Sequence, residues 1–193
     1  MTSVMPDQIY SSLVHRALDF AAIKHVPQHR KHPTQRIPYI SHPACVGYLL
    51  AKAGYGEEVV AAGVLHDVIE DCGVTQEDLA RMFTPLIASL VAQVSEPAKR
   101  MSWEDRKSAY FAKLEAAPPE ALAIAAADHL HNIKSLLIAA QADLSAISMF
   151  KVDIGRKMEY EKRCADLFRE RLGGPLADEF TASIVEFESF HVR

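Results

Sequence analysis

Apolar residues recur along this chain at three- and four-residue spacing, the period of a helix, and strand-like alternation is scarce. Ile9, Leu13, Ala17 and Phe20 share one such face, which predicts a helix over 7–26. A second is predicted over 42–53, ended by Gly54 and Gly56, and a third over 57–71, stopped by Gly73. Thr75 with Asp78 has the form of a capping box, Thr84 and Pro85 supply an N-cap and first-turn proline, and Ser102 with Asp105 starts another helix. Pro118 and Pro119 separate that one from a long apolar helix near 120–141. Two more are expected, 143–171 and 175–190, divided by Gly173, Gly174 and Pro175. The expectation is an all-α, multi-helix bundle. At 193 residues, without repeats or an evident linker, residues 1–193 are expected to form one domain.

Composition narrows the function classes. Hydrophobic residues make up 49% and charged residues 24%, which fits a soluble globular chain rather than a disordered one. The net charge of −4 offers no overall field for nucleic acid or an anionic membrane, so neither partner is expected. A phosphate-bearing ligand would have to be met by a local basic cluster. Cys45, Cys72 and Cys164 form no CxxC pair, which argues against a zinc ribbon or a disulfide framework. The first residues lack a basic and apolar leader, and no apolar run reaches the roughly 18 residues of a membrane span, so a cytoplasmic location is expected. Oligomeric state has no sequence signal.

The chemistry concentrates in AAGVLHDVIEDCG, residues 61–73, where His66, Asp67, Glu70 and Asp71 interrupt an apolar run. Burying charges without partners costs roughly several kcal/mol each, so either something cationic sits there or the segment is not where its apolar residues suggest. On a continuous helix His66 would stand above Glu70, and Asp67 above Asp71. Imidazole and carboxylate donors suit Mn²⁺, Fe²⁺, Zn²⁺ or Mg²⁺. Further ligands must come from elsewhere. His42 stands in SHPACVGYLL at a helix start, and Asp128 follows six consecutive apolar residues with Asn132 one turn on. Singly, His42 reads as a turn residue, Asp128 as half of an internal ion pair, and Glu70 with Asp71 as a solvated helix end. Together the His-Asp pair, the upstream histidine and the downstream aspartate form a ligand set for one divalent ion.

These residues also carry a resemblance. HD at 66–67 and ED at 70–71, preceded by PYISHP and followed by ADHLHN, resemble the HD-domain metal-dependent phosphohydrolases. More narrowly, they resemble the hydrolase domain of the Rel/Spo alarmone enzymes and the stand-alone small alarmone hydrolases. Those proteins remove the 3′-diphosphate of guanosine tetra- and pentaphosphate, usually with Mn²⁺. The likeness runs from about Ala17 to Leu137, including QHRKHP and WEDRK, which implies a single HD-type domain over 1–193 with a motif-bearing core at about 17–137 and C-terminal helices at 143–190.

The resemblance implies His42, His66, Asp67 and Asp128 as metal ligands and Glu70 with Asp71 as the catalytic acidic pair. It further implies nucleotide contacts at Asn132, Ser135, Arg30 and Lys31. Two departures bear on base recognition: His129 stands where the family usually has Lys or Arg, and the turn HRKHPTQRIPYISH is long, with Arg36 where glycine is common. The implied reaction converts (p)ppGpp to GDP or GTP plus pyrophosphate. Rival substrates are (p)ppApp, a nucleoside monophosphate or NADPH, and a rival class is a catalytically silent nucleotide-binding module. His15, His25 and His191 read as structural or surface residues, Trp103 as packing, and His129 as a rim or supporting group rather than a ligand.

Overall fold

The computed structural model describes residues 10–32, 34–97, 100–142 and 153–191, and these form ten helices with no strand among the described residues. In chain order they are α1 (Ser12–Lys24), α2 (Ser41–Lys52), α3 (Glu57–Val64), α4 (Val68–Cys72) and α5 (Gln76–Met82). Then come α6 (Pro85–Val94), α7 (Trp103–Glu115), α8 (Pro119–Ala142), α9 (Ile154–Arg171) and α10 (Gly174–His191). The all-α expectation is met. Residues 7–9 and 143–152, expected to begin two of the helices, lie outside the described residues.

Local chemistry sets most boundaries. Ser11 accepts from the Val14 amide and Ser102 from the Asp105 amide, and Thr75 and Asp78 complete a reciprocal capping box. Thr84 caps α6 with Pro85 at its first position. The 24-residue α8 is the spine, packing against α2, α3, α6, α9 and α10. Its apolar run Ala121 to Ala127 is buried throughout, which explains why this stretch shows no amphipathic alternation.

One helix differs from expectation. The predicted helix of 57–71 is two, because α3 ends at Val64 and residues 65–67 form a turn before α4. The cause is His66. Its Nδ1 lies 2.8 Å from the Gly63 carbonyl, so the imidazole donates to an acceptor that a continuing helix would have given to a backbone amide. Apolar periodicity survives the break, since Val64, Leu65 and Val68 are all buried, and this concealed it. The stacking of all four on one continuous helix is therefore corrected: His66 lies in the turn before α4, whereas Asp67 is the N-cap of α4 and still accepts from the Asp71 amide one turn on. Gly73, at φ 67° in the left-handed region, ends α4 as expected.

The crossing of α2 and α3 carries two site residues and depends on small side chains. A Cβ on Gly63 would lie 2.2 Å from Leu50 Cδ1 and 3.4 Å from Val46 Cγ1, and one on Gly47 would lie 2.6 Å from Val64 Cγ2. Gly63→Ala is expected to destabilise the fold by about 1–2 kcal/mol, overpacking exceeding the gain in helix propensity. A thermal melt should show the midpoint falling by roughly 3–6 °C; an unchanged or raised midpoint would mean the contact yields freely.

Candidate metal centre

Three separated segments deliver four side chains to one point. His42 is the second residue of α2, His66 and Asp67 occupy the turn between α3 and α4, and Asp128 projects from mid-α8. His42 Nε2 lies 3.0 Å from Asp128 Oδ1 and 3.7 Å from Asp67 Oδ2. His66 Nε2 lies 3.0 Å from Asp67 Oδ2 and 3.7 Å from Asp128 Oδ1. Ligand atoms of His42, His66 and Asp128 all fall within 4.8 Å of one another. Because 65–67 is a turn, His66 and Asp67 reach the same point although they are adjacent in sequence; on a helix they would diverge by about 100°.

Each of these groups is held by a second residue. The His66 Nδ1 bond to Gly63 fixes the ring, and its Nε2, buried and without a partner of hydrogen-bond geometry, faces the cluster. His42 Nδ1 meets His131 Nδ1 at 2.7 Å, so donation from His42 to His131 leaves the His42 Nε2 lone pair for a ligand. The Tyr39 hydroxyl donates to Asp67 Oδ2 at 2.6 Å. Asn132 Nδ2 donates to Asp128 Oδ1 at 2.6 Å, while Asn132 Oδ1 accepts from Arg30 at 3.1 Å.

The electrostatics call for a cation. Burial opposes ionisation of Asp67, yet the His66 charge and its hydrogen bond hold that carboxyl down to about 2. Asp128 is likewise held well below the carboxylate range, by His42 and His66 against the same cost of burial. Burial alone would lower His66, but the charge of Asp67 and then of Asp128 lifts it to about 9. Burial lowers His42. In the metal-free protein, a proton on His66 thus occupies the place of a positive charge between two carboxylates. A nitrogen-oxygen donor set of this kind fits a divalent transition ion, and His42, His66, Asp67 and Asp128 would hold it.

Residues 17–154 match the HD domain family. The chain belongs to the HD-domain family. Over 123 residues it is 33% identical to the guanosine-3′,5′-bis(diphosphate) 3′-pyrophosphohydrolase MESH1 of Drosophila melanogaster, covering 63% of this chain and 68% of that protein. It is also 33% identical, over 128 residues, to the enzyme of the same name from Aquifex aeolicus, covering 65% of this chain. The matched region spans only 18% of that long relative and 17% of a Synechocystis one. Among solved structures, a metazoan SpoT orthologue described as hydrolysing ppGpp superposes with TM-score 0.81 at 25% identity, covering 93% of this chain and 98% of the other. A Listeria monocytogenes protein superposes with TM-score 0.70 at 31% identity, covering 76% of this chain and 97% of the other.

In this HD-domain protein the four ligand candidates and Glu70 line one cavity. Glu70 Oε2 accepts from the Glu96 amide at 3.2 Å. Burial, then the charges of Glu96 and Asp67, push its carboxyl up to about 7. Asp71 does not line that cavity; its amide donates to the Asp67 carbonyl and its carbonyl accepts from Gln28. Arg30 reaches Asn132 and lies 5.8 Å over the Tyr39 ring, whereas Lys31 is exposed on the loop. Ser135 Oγ stands 3.5 Å from His131 Nδ1.

Sequence reasoning misses two supporting residues, Tyr39 within PYISHP and His131 within ADHLHN. His131 had a signal in its spacing, since positions 128, 131 and 132 share a helix face. Burial, then the charges of His42 and Arg30, push His131 down to about 4, so at neutral pH it stands as the neutral acceptor that His42 needs. His129 points the other way, its Nδ1 2.5 Å from Glu161 Oε2 in α9, as a supporting group. Trp103 packs at the start of α7, its ring centroid 6.2 Å from that of Tyr160. His15 is exposed and His25 buried, and the His191 side chain lies outside the described residues.

A divalent ion held there would displace the His66 proton, and Mn²⁺ serves as the probe. The raised His66 pKa stabilises the metal-free protein fully below the unfolded value near 6.5 and ceases to do so as pH rises through about 9. Apparent Mn²⁺ affinity should therefore climb by up to about tenfold per pH unit in that window, and the rise in melting temperature on adding Mn²⁺ should be larger at pH 8 than at pH 6. Equal shifts at both values would remove His66 from the ligand set. Tyr39→Phe, which deletes the donor to Asp67, should weaken Mn²⁺ binding about tenfold by calorimetry with the melt of the metal-free protein little changed.

Proposed function

We propose that this protein hydrolyses the 3′-diphosphate of guanosine alarmones, (p)ppGpp, to GDP or GTP and pyrophosphate, with Mn²⁺ at the four-residue centre. The observation that carries the reading is one cavity that joins the imidazole-carboxylate cluster to Glu70, a carboxyl whose proton affinity is tuned to neutral pH. The relatives named as 3′-pyrophosphohydrolases support it from outside.

A bound divalent ion supplies Lewis acidity toward a phosphoryl oxygen and acidifies water. The protein's own residues do the rest. Glu70, ionised, takes a proton from the attacking water, a role for which a group titrating near the working pH is suited. Asp71, behind it on α4, acts on this residue and the neighbouring solvent through its charge. Arg30 and Lys31 on the basic loop meet the nucleotide, Arg30 being pre-oriented by Asn132, which also ties that loop to Asp128. A guanidinium there can stack on a purine or fork onto a phosphate. Ser135, one turn beyond His131, would meet a ribose hydroxyl. Pyrophosphate leaves from the 3′ oxygen as the P–O bond opposite the incoming water breaks, and the ribose oxygen recovers a proton from Glu70 or solvent.

The substrate is thus a small nucleotide, and a cytoplasmic location goes with it. Among the described residues no helix is long and apolar enough to cross a membrane.

The test is a purified-protein assay with Mn²⁺ and guanosine tetraphosphate, identifying both products. Glu70→Gln should lower kcat by roughly 10²- to 10⁴-fold while Mn²⁺ affinity stays within about threefold of wild type. Wild-type turnover in that variant would remove Glu70 as the base, and orthophosphate instead of pyrophosphate would remove the substrate assignment.

A further inference from the structure

Beyond Glu70 the cavity runs on to a wall supplied by α7 and α9, where two ammonium groups are each aimed by a carboxylate. Lys107 Nζ lies 2.5 Å from Glu96 Oε1, and Lys157 Nζ lies 2.5 Å from Glu161 Oε1. Glu161 is nearly enclosed, its side chain 4% exposed, while that of Lys157 is 22% exposed and lines the cavity. The other Glu161 oxygen is taken by His129 Nδ1 at 2.5 Å. Glu161 is therefore gripped from two sides and held below the usual carboxylate range against its burial, by Lys157 first and His129 next. Among the described residues Glu161 is the one hydrogen-bonding partner of Lys157, which leaves donors of the ammonium to spare.

We propose that Lys157 is a phosphate-contacting residue, and that the α9 wall is the subsite for the second, distal phosphate of the substrate. The inference rests on the 3′-diphosphate reading above and deepens it. Two cations then stand near the metal ligands, Arg30 through Asn132 and Lys157 on the α9 wall, which suits a ligand with more than one anionic group. A monoester would reach the cluster and leave the α9 wall in water. Fastening α9 to α8 does not by itself require an ammonium at a cavity surface, and a buried ion pair contributes little net stability over an apolar contact. A charge-assisted contact from Lys157 to a phosphate oxygen gives the exposed part of that side chain a role.

The experiment measures binding of inorganic pyrophosphate and of orthophosphate to the Mn²⁺-saturated full chain by calorimetry, for wild type, Lys157→Met and Lys157→Arg. Loss of one charge-assisted bond should weaken pyrophosphate about 10- to 100-fold in Lys157→Met, with orthophosphate changed less than about threefold and Lys157→Arg near wild type. Unchanged pyrophosphate binding, or equal weakening of both anions, would overturn the subsite. Should Lys157→Met fail to fold because Glu161 is left half-paired, Lys157→Met with Glu161→Gln removes both charges and is read in the same way. The two readings fail separately. A wild type that ignores guanosine tetraphosphate yet binds pyrophosphate through Lys157 loses the substrate and keeps the subsite. Turnover with Lys157-independent pyrophosphate binding does the reverse.

Discussion

The four-way approach of two carboxylates and two imidazoles is the constraint to which the other features answer. Asp67 and Asp128 both lie within 3.7 Å of both imidazole Nε2 atoms, in a site where His42 and His66 are almost fully buried. Charges so placed repel strongly unless a cation intervenes, because the low local dielectric that strengthens attraction strengthens repulsion equally. The protein does not relieve this by letting the groups turn away. Tyr39, His131, Asn132 and the Gly63 carbonyl each hold one of them in place. Groups pinned against their own repulsion lose little further freedom on taking up an ion, which is the sense in which such a centre is preorganised.

That pinning runs through the backbone. His66 caps α3 with its own ring, and the cap breaks the helix so that Asp67 can turn to the same point. The α2–α3 crossing is close because Gly47 and Gly63 meet Val64 and Leu50 there, and this sets the separation of His42 from His66. Gly63 thus acts twice, through its missing side chain and through its carbonyl. Asp128 comes from α8, whose buried alanine-rich run lets neighbouring helices approach closely before the polar residues begin.

What was legible in the sequence was local. Capping residues act within four positions, so Ser102, Thr75 with Asp78, and Thr84 with Pro85 announced helix starts that the structure contains. The ligand candidates were legible because four polar residues stood out against apolar surroundings. The break at 65–67 was not, because the deciding hydrogen bond runs from a side chain to a carbonyl three residues back and leaves the apolar period intact. Glu161 and Lys157 gave only an i, i+4 pair, an ordinary surface pattern; that it is buried against His129 depends on how α9 docks, which no local rule encodes. Tyr39 lies inside PYISHP, but its partner Asp67 stands 28 residues away.

The site thereby divides in two along the chain. The metal candidates and Glu70 lie well inside residues 17–154, the span that matches the HD domain family, whereas Lys157 and Glu161 lie just beyond it on α9. Structural likeness continues where the sequence match stops, since the superposition on the metazoan SpoT orthologue covers 93% of this chain. A metal centre tolerates little change, because each ligand is tied to another residue and all must converge on one ion. A wall that only meets the far end of a ligand can alter its charges one at a time. With the subsite proposed above, the chemistry would stay with α2, α8 and the α3–α4 turn, and the choice among phosphate-bearing substrates would be made on α9.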